Sequence, residues 1–459
     1  MKDKQTPCLM PALLFLVLAV RMILDNIVLA AIDDGLYYPK IALNFSRLGI
    51  ITYDTITHTN GFHPLWEMLL IPLFKLIANP MTALLMTYLL ITALMLAGIV
   101  FFAQTGRRMG ITPAGLLLTS ILLLYNMRSF TLWYSLLESP LVFFSLALLL
   151  FFYLKHGTAK PFVLGLFAGI LFLSRSDTVF ISFVLGIFLL VSGMKKRKFA
   201  KPGLYLAGFL LLITPYLIWN KVNFVSILPV SVGRKISVGI SAVFNLPKAL
   251  WGSFSFVSSR IGFYTGLGRG VVMVIGLVFL AAAIFVAVYL WRKQKLQNTR
   301  SVLTKAAPFF IGIALHYAFI ASFMTVEAIY SFWYLVGELF AIALILAALI
   351  TDIQRFFRLE SRKLDMAAAG LVLVFVLAQM FLYNSFYARK IYRQTQVKIA
   401  GHIRDNYPEN TVFLMYDSGV FSFLSDRAFI TANGLAGDAE LATMAGREDS
   451  YLLMLDRYD

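Results

Sequence analysis

Residues 11–45 read PALLFLVLAVRMILDNIVLAAIDDGLYYPKIALNF. An apolar run ends in two adjacent carboxylates, Asp33 and Asp34, with aromatic residues directly behind them. Neighbouring acids repel each other, and at the end of a run of roughly 20 apolar residues both stand at a bilayer surface. A chain that only had to leave the membrane needs no such pair. The stretch therefore reads as a membrane span followed by a segment that works at the surface.

Composition agrees with that frame. The 459 residues are 60% hydrophobic and 14% charged, with mean hydropathy +0.80. A soluble domain of this length could not cover its surface with so few polar groups. The apolar stretches are long and continuous, which excludes an outer-membrane barrel with its alternating segments. One cysteine, Cys8, excludes an intrachain disulfide framework and a cysteine-based zinc site. The net charge of +17 gains its meaning from distribution, and no nucleic-acid partner is expected.

The span rule places about eleven apolar segments, near 9–31, 81–103, 111–126, 139–154, 161–174, 178–193, 203–220, 270–291, 307–325, 332–351 and 366–385. With the N-terminus inside, the cytoplasmic segments 1–8, 104–112, 154–160, 194–202, 292–306 and 352–364 hold half of the 40 lysines and arginines. That is the positive-inside pattern. It assigns 32–80, 220–269 and 386–459 to the outer face. A cleaved signal ending at VLA before Ala31 competes with a retained first span. Arg21 and Asp25, at i,i+4 spacing, favour the span because they can pair within a bundle.

The external loop 32–80 carries two expected interfacial helices. In 35–48, Tyr37, Tyr38, Ile41, Phe45 and Leu48 form an apolar face and Lys40, Asn44 and Arg47 a polar one. Pro39 falls in the first turn, and Asp34 is the expected N-cap. A polar loop with His58 and His63 follows, then Pro64 and Trp66 open a second amphipathic helix that stops at Asn79-Pro80. Two interfacial helices joined by a polar loop suit a platform that brings a lipid-borne group and a water-side group to one depth.

The stretch DDGLYYPKIALNFSRLGIITYDTITHTNGFHPLW (33–66) resembles the first external loop of bacterial polyprenyl-phosphate-sugar glycosyltransferases of the GT-C class. That class also holds protein O-mannosyltransferases, lipid A aminoarabinose transferases and arabinofuranosyltransferases. The chain departs from the loop pattern at Gly35-Leu36 and Pro39, leaving the acidic pair intact. Further resemblances follow in order: WYSLLESPL (133–141), FLSRSDTVF (172–180), PYLIWNKVNFVSILPVSVGRKIS (215–237), FWYL (332–335) and DSGVFSFLSDRAFITANGLAGDAE (417–440).

The resemblance implies a GT-C-type helical bundle, residues 1–385, and a small external α/β domain, residues 386–459. It implies a glycosyltransferase of the inner membrane of a bacterium that inverts the anomeric centre. A sugar would pass from a polyprenyl-phosphate donor to an acceptor hydroxyl on a glycan, lipid or protein at the outer face. The first acid of such a pair is the catalytic one in these families, so Asp33 is the expected base and Asp34 its partner. Candidate substrate contacts are His58, His63, Trp66, Glu138, Arg175, Asp177, Arg234 and Lys235. Each has a plainer alternative: Glu138 as an interfacial carboxylate, Arg175 and Asp177 as a structural pair at the tip of a tight hairpin, Arg234 and Lys235 as solvated loop charge. The last two stand against the charge bias, as a lipid-phosphate site would require. A divalent cation near the acids is a further possibility, but zinc-type histidine spacing is absent. His316, inside a span, is expected to hydrogen-bond a neighbouring helix.

In the tail, 388–408 reads as a helix, TVFLMYD and RAFITAN as strands and 437–456 as a closing helix. At about 70 residues such a domain is expected to lean on the membrane part. Two other functions fit the same composition: a membrane polymerase or ligase of lipid-linked glycans, and a non-enzymatic lipid or sugar transporter. A transporter should set its ionisable groups in broken helices at mid-span, whereas these acids cluster at helix ends.

Overall fold

The computed structural model describes residues 6–25, 31–125, 132–195, 199–224, 229–231, 292–323, 332–382, 387–437 and 439–444, with a few isolated positions between them. Arg234, Lys235 and the expected span 270–291 lie outside the described residues, as do the side chains of Arg21 and Asp25.

Helix α1 (Thr6–Asp25) leads to α2 (Asp33–Leu48) and α3 (Pro64–Leu76), which pack together. Then come α4 (Pro80–Arg108), α5 (Pro113–Ser120), α6 (Ser139–His156), α7 (Pro161–Ser174), α8 (Val179–Lys195) and α9 (Ala200–Phe224). The second half holds α10 (Gln297–Lys305), α11 (Ala307–Phe323), α12 (Val336–Phe356), α13 (Ser361–Leu382) and α14 (Tyr387–Asn406). Asn79 starts α4 by accepting the Met81 and Thr82 N–H groups. Pro80, Pro113 and Pro161 each open a helix where the missing N–H costs nothing.

The chain is a helical membrane protein. Five described stretches are long and apolar enough to cross a bilayer: Pro80–Arg108, Ser139–His156, Ser176–Met194, Ala200–Phe224 and Val336–Phe356. The pair α10 and α11 bends by 75° and makes a sixth if taken as one broken span.

Two expectations need correction. Helix α2 begins at Asp33, with Ile32 as its N-cap, and makes no side-chain cap bond. Asp34 is therefore a first-turn residue and not the cap. Nor does α2 lie on an open surface: Lys40 and Asn44 of its polar face are buried. The tail covers that face.

In the tail, β1 (Val412–Met415) and β2 (Ala428–Thr431) pair in parallel, Val412 opposite Ala428 and Met415 opposite Thr431. A parallel pair needs a crossover, and here it is the short helix α15 (Gly419–Ser425). Helix α16 (Ala439–Met444) follows. Phe421, Phe423 and Phe429 belong to the same hydrophobic core as the membrane helices, and Phe423 meets Phe74 of α3 edge-on at 6.2 Å. The tail thus shares its core with the membrane part, since its own sheet of two strands is too small to bury both faces.

Candidate active site

Four chain breaks converge on one cavity of about 50 Å³. Helix α2 supplies Asp34, Tyr37, Tyr38 and Ile41; the loop before α3 supplies Gly61, Phe62 and His63. Leu137 and Glu138 come from the entry to α6, Arg175 from the break between α7 and α8, and Trp333 and Tyr334 from the turn before α12. Ser231 and Leu435 complete the wall. Carboxylates, a guanidinium, an imidazole and aromatic rings are the groups that hold a polyhydroxyl ligand.

The charged wall is buried and internally paired. Glu138 accepts from the Tyr38 hydroxyl at 3.0 Å and from Arg175 Nη1, with His63 Nε2 3.4 Å away. Burial pushes the Glu138 carboxyl up, and His63 and Arg175 more than offset that, holding it below the usual range. Arg175 turns Nε onto both oxygens of Asp177, at 3.0 and 2.9 Å, and lies over the Tyr334 ring at 4.2 Å. Its Nη2 has no hydrogen-bond partner among the described residues. Behind them, His316 sits 3.5 Å from Asp177 and 2.8 Å from Glu338.

The two acids of the opening motif are treated differently. Asp34 stands on the cavity wall. Asp33 instead accepts the backbone N–H groups of Gly419 and Val420, at 3.0 and 3.1 Å, at the start of α15. A side chain on Gly419 would run into the Asp33 backbone carbonyl, so glycine permits this approach. Asp33, Asp34 and Asp417 each bring an oxygen within 4.8 Å of the others. Hard divalent cations take such ligands, but acidic trios are common without an ion, and none is assigned here.

The THTNGFH segment is built from both sides. Asn60 donates to Asn220 Oδ1 and accepts from the Val230 N–H, and Thr59 donates to the Gly437 carbonyl. A Cβ on Gly61 would collide with the Leu435 carbonyl. Asp54 gathers the preceding loop by accepting from Thr52, Ile56 and Thr57.

Of the sequence candidates, Asp34, His63, Glu138 and Arg175 share the cavity, and Asp177 holds Arg175 from behind. His58 is exposed in its loop, and Trp66 is fully buried with its indole N–H on the Leu136 carbonyl. Neither lines the cavity. Tyr38 is expected only as part of an apolar helix face, and Tyr334, Glu338 and Leu435 have no expected role at the site. Tyr334 had a signal in FWYL, while Glu338 had none beyond its place in the first turn of a span.

No protein-family model matches the chain, and no curated protein matches it.

Proposed function

We propose that the protein is an inverting glycosyltransferase of the GT-C type that moves a sugar from a polyprenyl-phosphate donor to an acceptor hydroxyl. The carrying observation is Asp34 on the wall of a cavity that Glu138, Arg175 and His63 also line. An ionised carboxylate so placed can take the proton of an attacking hydroxyl. Asp33, the expected base, has both oxygens engaged by α15. The base in this reading is therefore Asp34, and Asp33 fixes the helix turn that carries it.

Arg175 suits sugar hydroxyls more than phosphate, because Glu138 and Asp177 already balance its charge. The departing lipid phosphate needs further cations, the role this reading gives to Arg234 and Lys235. Aromatic Tyr37, Tyr38, Trp333 and Tyr334 supply flat apolar faces for a sugar ring.

Depth and sidedness fit a reaction at the outer surface. Helices α6, α8 and α12 all start beside the cavity. Their opposite ends carry Lys155, Lys195 and Arg355. Positive residues favour the cytoplasm, so this reading sets the cavity outside, in an inner membrane crossed about eleven times.

The test is transfer by purified protein in nanodiscs, using a panel of polyprenyl-phosphate sugars and hydroxyl acceptors. Transfer with inversion at the anomeric carbon, abolished by Asp34→Asn, is the expected result. Lipid or sugar movement across proteoliposomes without turnover would overturn it in favour of a transporter.

A further inference from the structure

A line of charged side chains runs from the cavity into the helical bundle: Glu138, Arg175, Asp177, His316 and Glu338. All five are buried or nearly so. Ionised groups at this depth persist only when paired. Arg175 lies between two carboxylates, and Glu338 is a third in the same line. The His316 ring, on α11, brings a second cation between Asp177 and Glu338, and His63 stands 3.4 Å from Glu138 at the other end. His316 Nε2 is 3.5 Å from Asp177 Oδ2 and its Nδ1 is 2.8 Å from Glu338 Oε1. Nδ1 hydrogen-bonds Glu338, whereas Nε2 meets Asp177 only as an ion-pair contact of the protonated ring.

We propose that His316 is a positioning residue for the cavity. It holds Asp177 against Arg175 Nε, which keeps the guanidinium on Tyr334 and leaves Nη2 free to meet the donor's sugar. Glu338 anchors the ring from α12. The assignment of a sugar to Nη2 rests on the function proposed above, whereas the positioning of Arg175 by His316 does not.

The geometry gives reasons to separate this role from simple bundle cohesion. Arg175 sits at the break between α7 and α8, in extended backbone, so its direction is not set by a helix. Its side chain is aimed by three contacts: Glu138, Asp177 and the Tyr334 ring. Asp177 has two calls on its carboxylate, from Arg175 and from His316. Losing the second leaves Asp177 free to rotate with Arg175.

Two measurements test it. In nanodiscs, His316→Gln should raise the apparent KM for a polyprenyl-phosphate sugar about tenfold, because the contact that steadies Asp177 is lost and Arg175 is misplaced. KM for the acceptor should stay unchanged. His316→Lys, which keeps the charge, should recover part of the loss. In an Arg175→Gln background, His316→Gln should add nothing. Where His316→Gln fails to fold, Glu338→Gln serves in its place, with a smaller rise expected. Additive effects, or a lowered Tm with donor KM unchanged, would overturn the role. Cryo-EM maps of the wild type and His316→Gln give the second reading. Arg175 leaving the Tyr334 ring supports the proposal, and Arg175 unmoved overturns it. If the wild type transfers no sugar, the proposed function fails, and the maps alone decide whether His316 positions Arg175.

Discussion

Asp33 and Gly419 lie 386 residues apart, yet the carboxylate of one accepts the backbone N–H of the other at 3.0 Å. The next residue, Val420, donates to the second oxygen at 3.1 Å. One acid of the opening pair thus bonds the tail, and its neighbour Asp34 lines the cavity. In the proposed reading the pair divides two tasks between two adjacent side chains. The first-turn position of both suits them, because the positive end of α2 offsets their mutual repulsion.

That division predicts different defects. Asp34→Asn should lower kcat by roughly 10²–10⁴-fold, the range for losing a general base, with the thermal midpoint unchanged. Asp33→Asn removes a charged acceptor from two N–H groups and should cost about 1.5–3 kcal/mol of stability. Its protease sensitivity should rise first within 407–437. Equal kcat losses with unchanged stability would show that both acids serve the chemistry directly.

Local pairing was legible in sequence, and distant pairing was not. Arg175 and Asp177 stand two apart at the tip of a predicted hairpin, and they do form an ion pair. The spans at 139–154 and 161–174 fall within a few residues of α6 and α7, because proline and a long apolar run mark both ends. Sequence shows Lys40 only as part of a polar helix face, since its partner Asp426 lies 386 residues on. Helix α15 was missed because a run of seven residues, GVFSFLS, is too short to display a helical period. His316 was rightly expected to bond a neighbouring helix, yet nothing in the run at 336–340 marked Glu338 as the partner. Ion pairs between helices leave no spacing to read.

Arg175 offers a second test, through shape and not charge. A lysine keeps the positive charge but cannot bind Asp177 and Glu138 at fixed angles while lying flat on Tyr334. Arg175→Lys should reduce transfer at least tenfold while retaining much of the stability. Arg175→Met leaves Glu138 and Asp177 buried without their cation and should cost about 3–5 kcal/mol. Thermal unfolding in detergent and turnover of the same preparations separate the two effects. Full activity in Arg175→Lys would show that charge alone suffices.

Arg234 and Lys235 are predicted from sequence to neutralise the lipid phosphate. Replacing both with alanine should weaken use of the donor and leave expression normal, since isolated loop charges contribute little to stability. The check is the donor concentration dependence of transfer. A double variant that matches the parent at low donor concentration would remove these residues from the phosphate site.

The charge distribution predicts opposite sides for residue 198, in a basic loop, and residue 400, in α14. Reporter fusions truncated after each position should be active on opposite sides of the membrane. The same side for both would reverse the placement of either the basic loops or the tail.

Lys40 supplies the pH prediction. It is buried against Asp426 at 3.4 Å, and Arg47 Nη1 donates to both oxygens of the same carboxylate, at 2.7 and 2.8 Å. Burial pulls the Lys40 ammonium down from 10.5 to about 8, more than Asp426 restores. The folded state therefore holds this proton less tightly than the unfolded chain. Below about pH 8 the ammonium is charged in both states and the cost of burying it is fully present. As pH rises from 8 toward 10.5, the folded protein sheds the proton first, so the cost is relieved and stability increases. The full span corresponds to about 3 kcal/mol. Thermal midpoints measured from pH 7 to 10 should climb in the wild type, against the usual alkaline decline, and Lys40→Met should flatten that rise. If the wild type and Lys40→Met keep a constant difference across the range, Lys40 does not titrate there, and the contact with Asp426 is an ordinary ion pair that remains charged throughout.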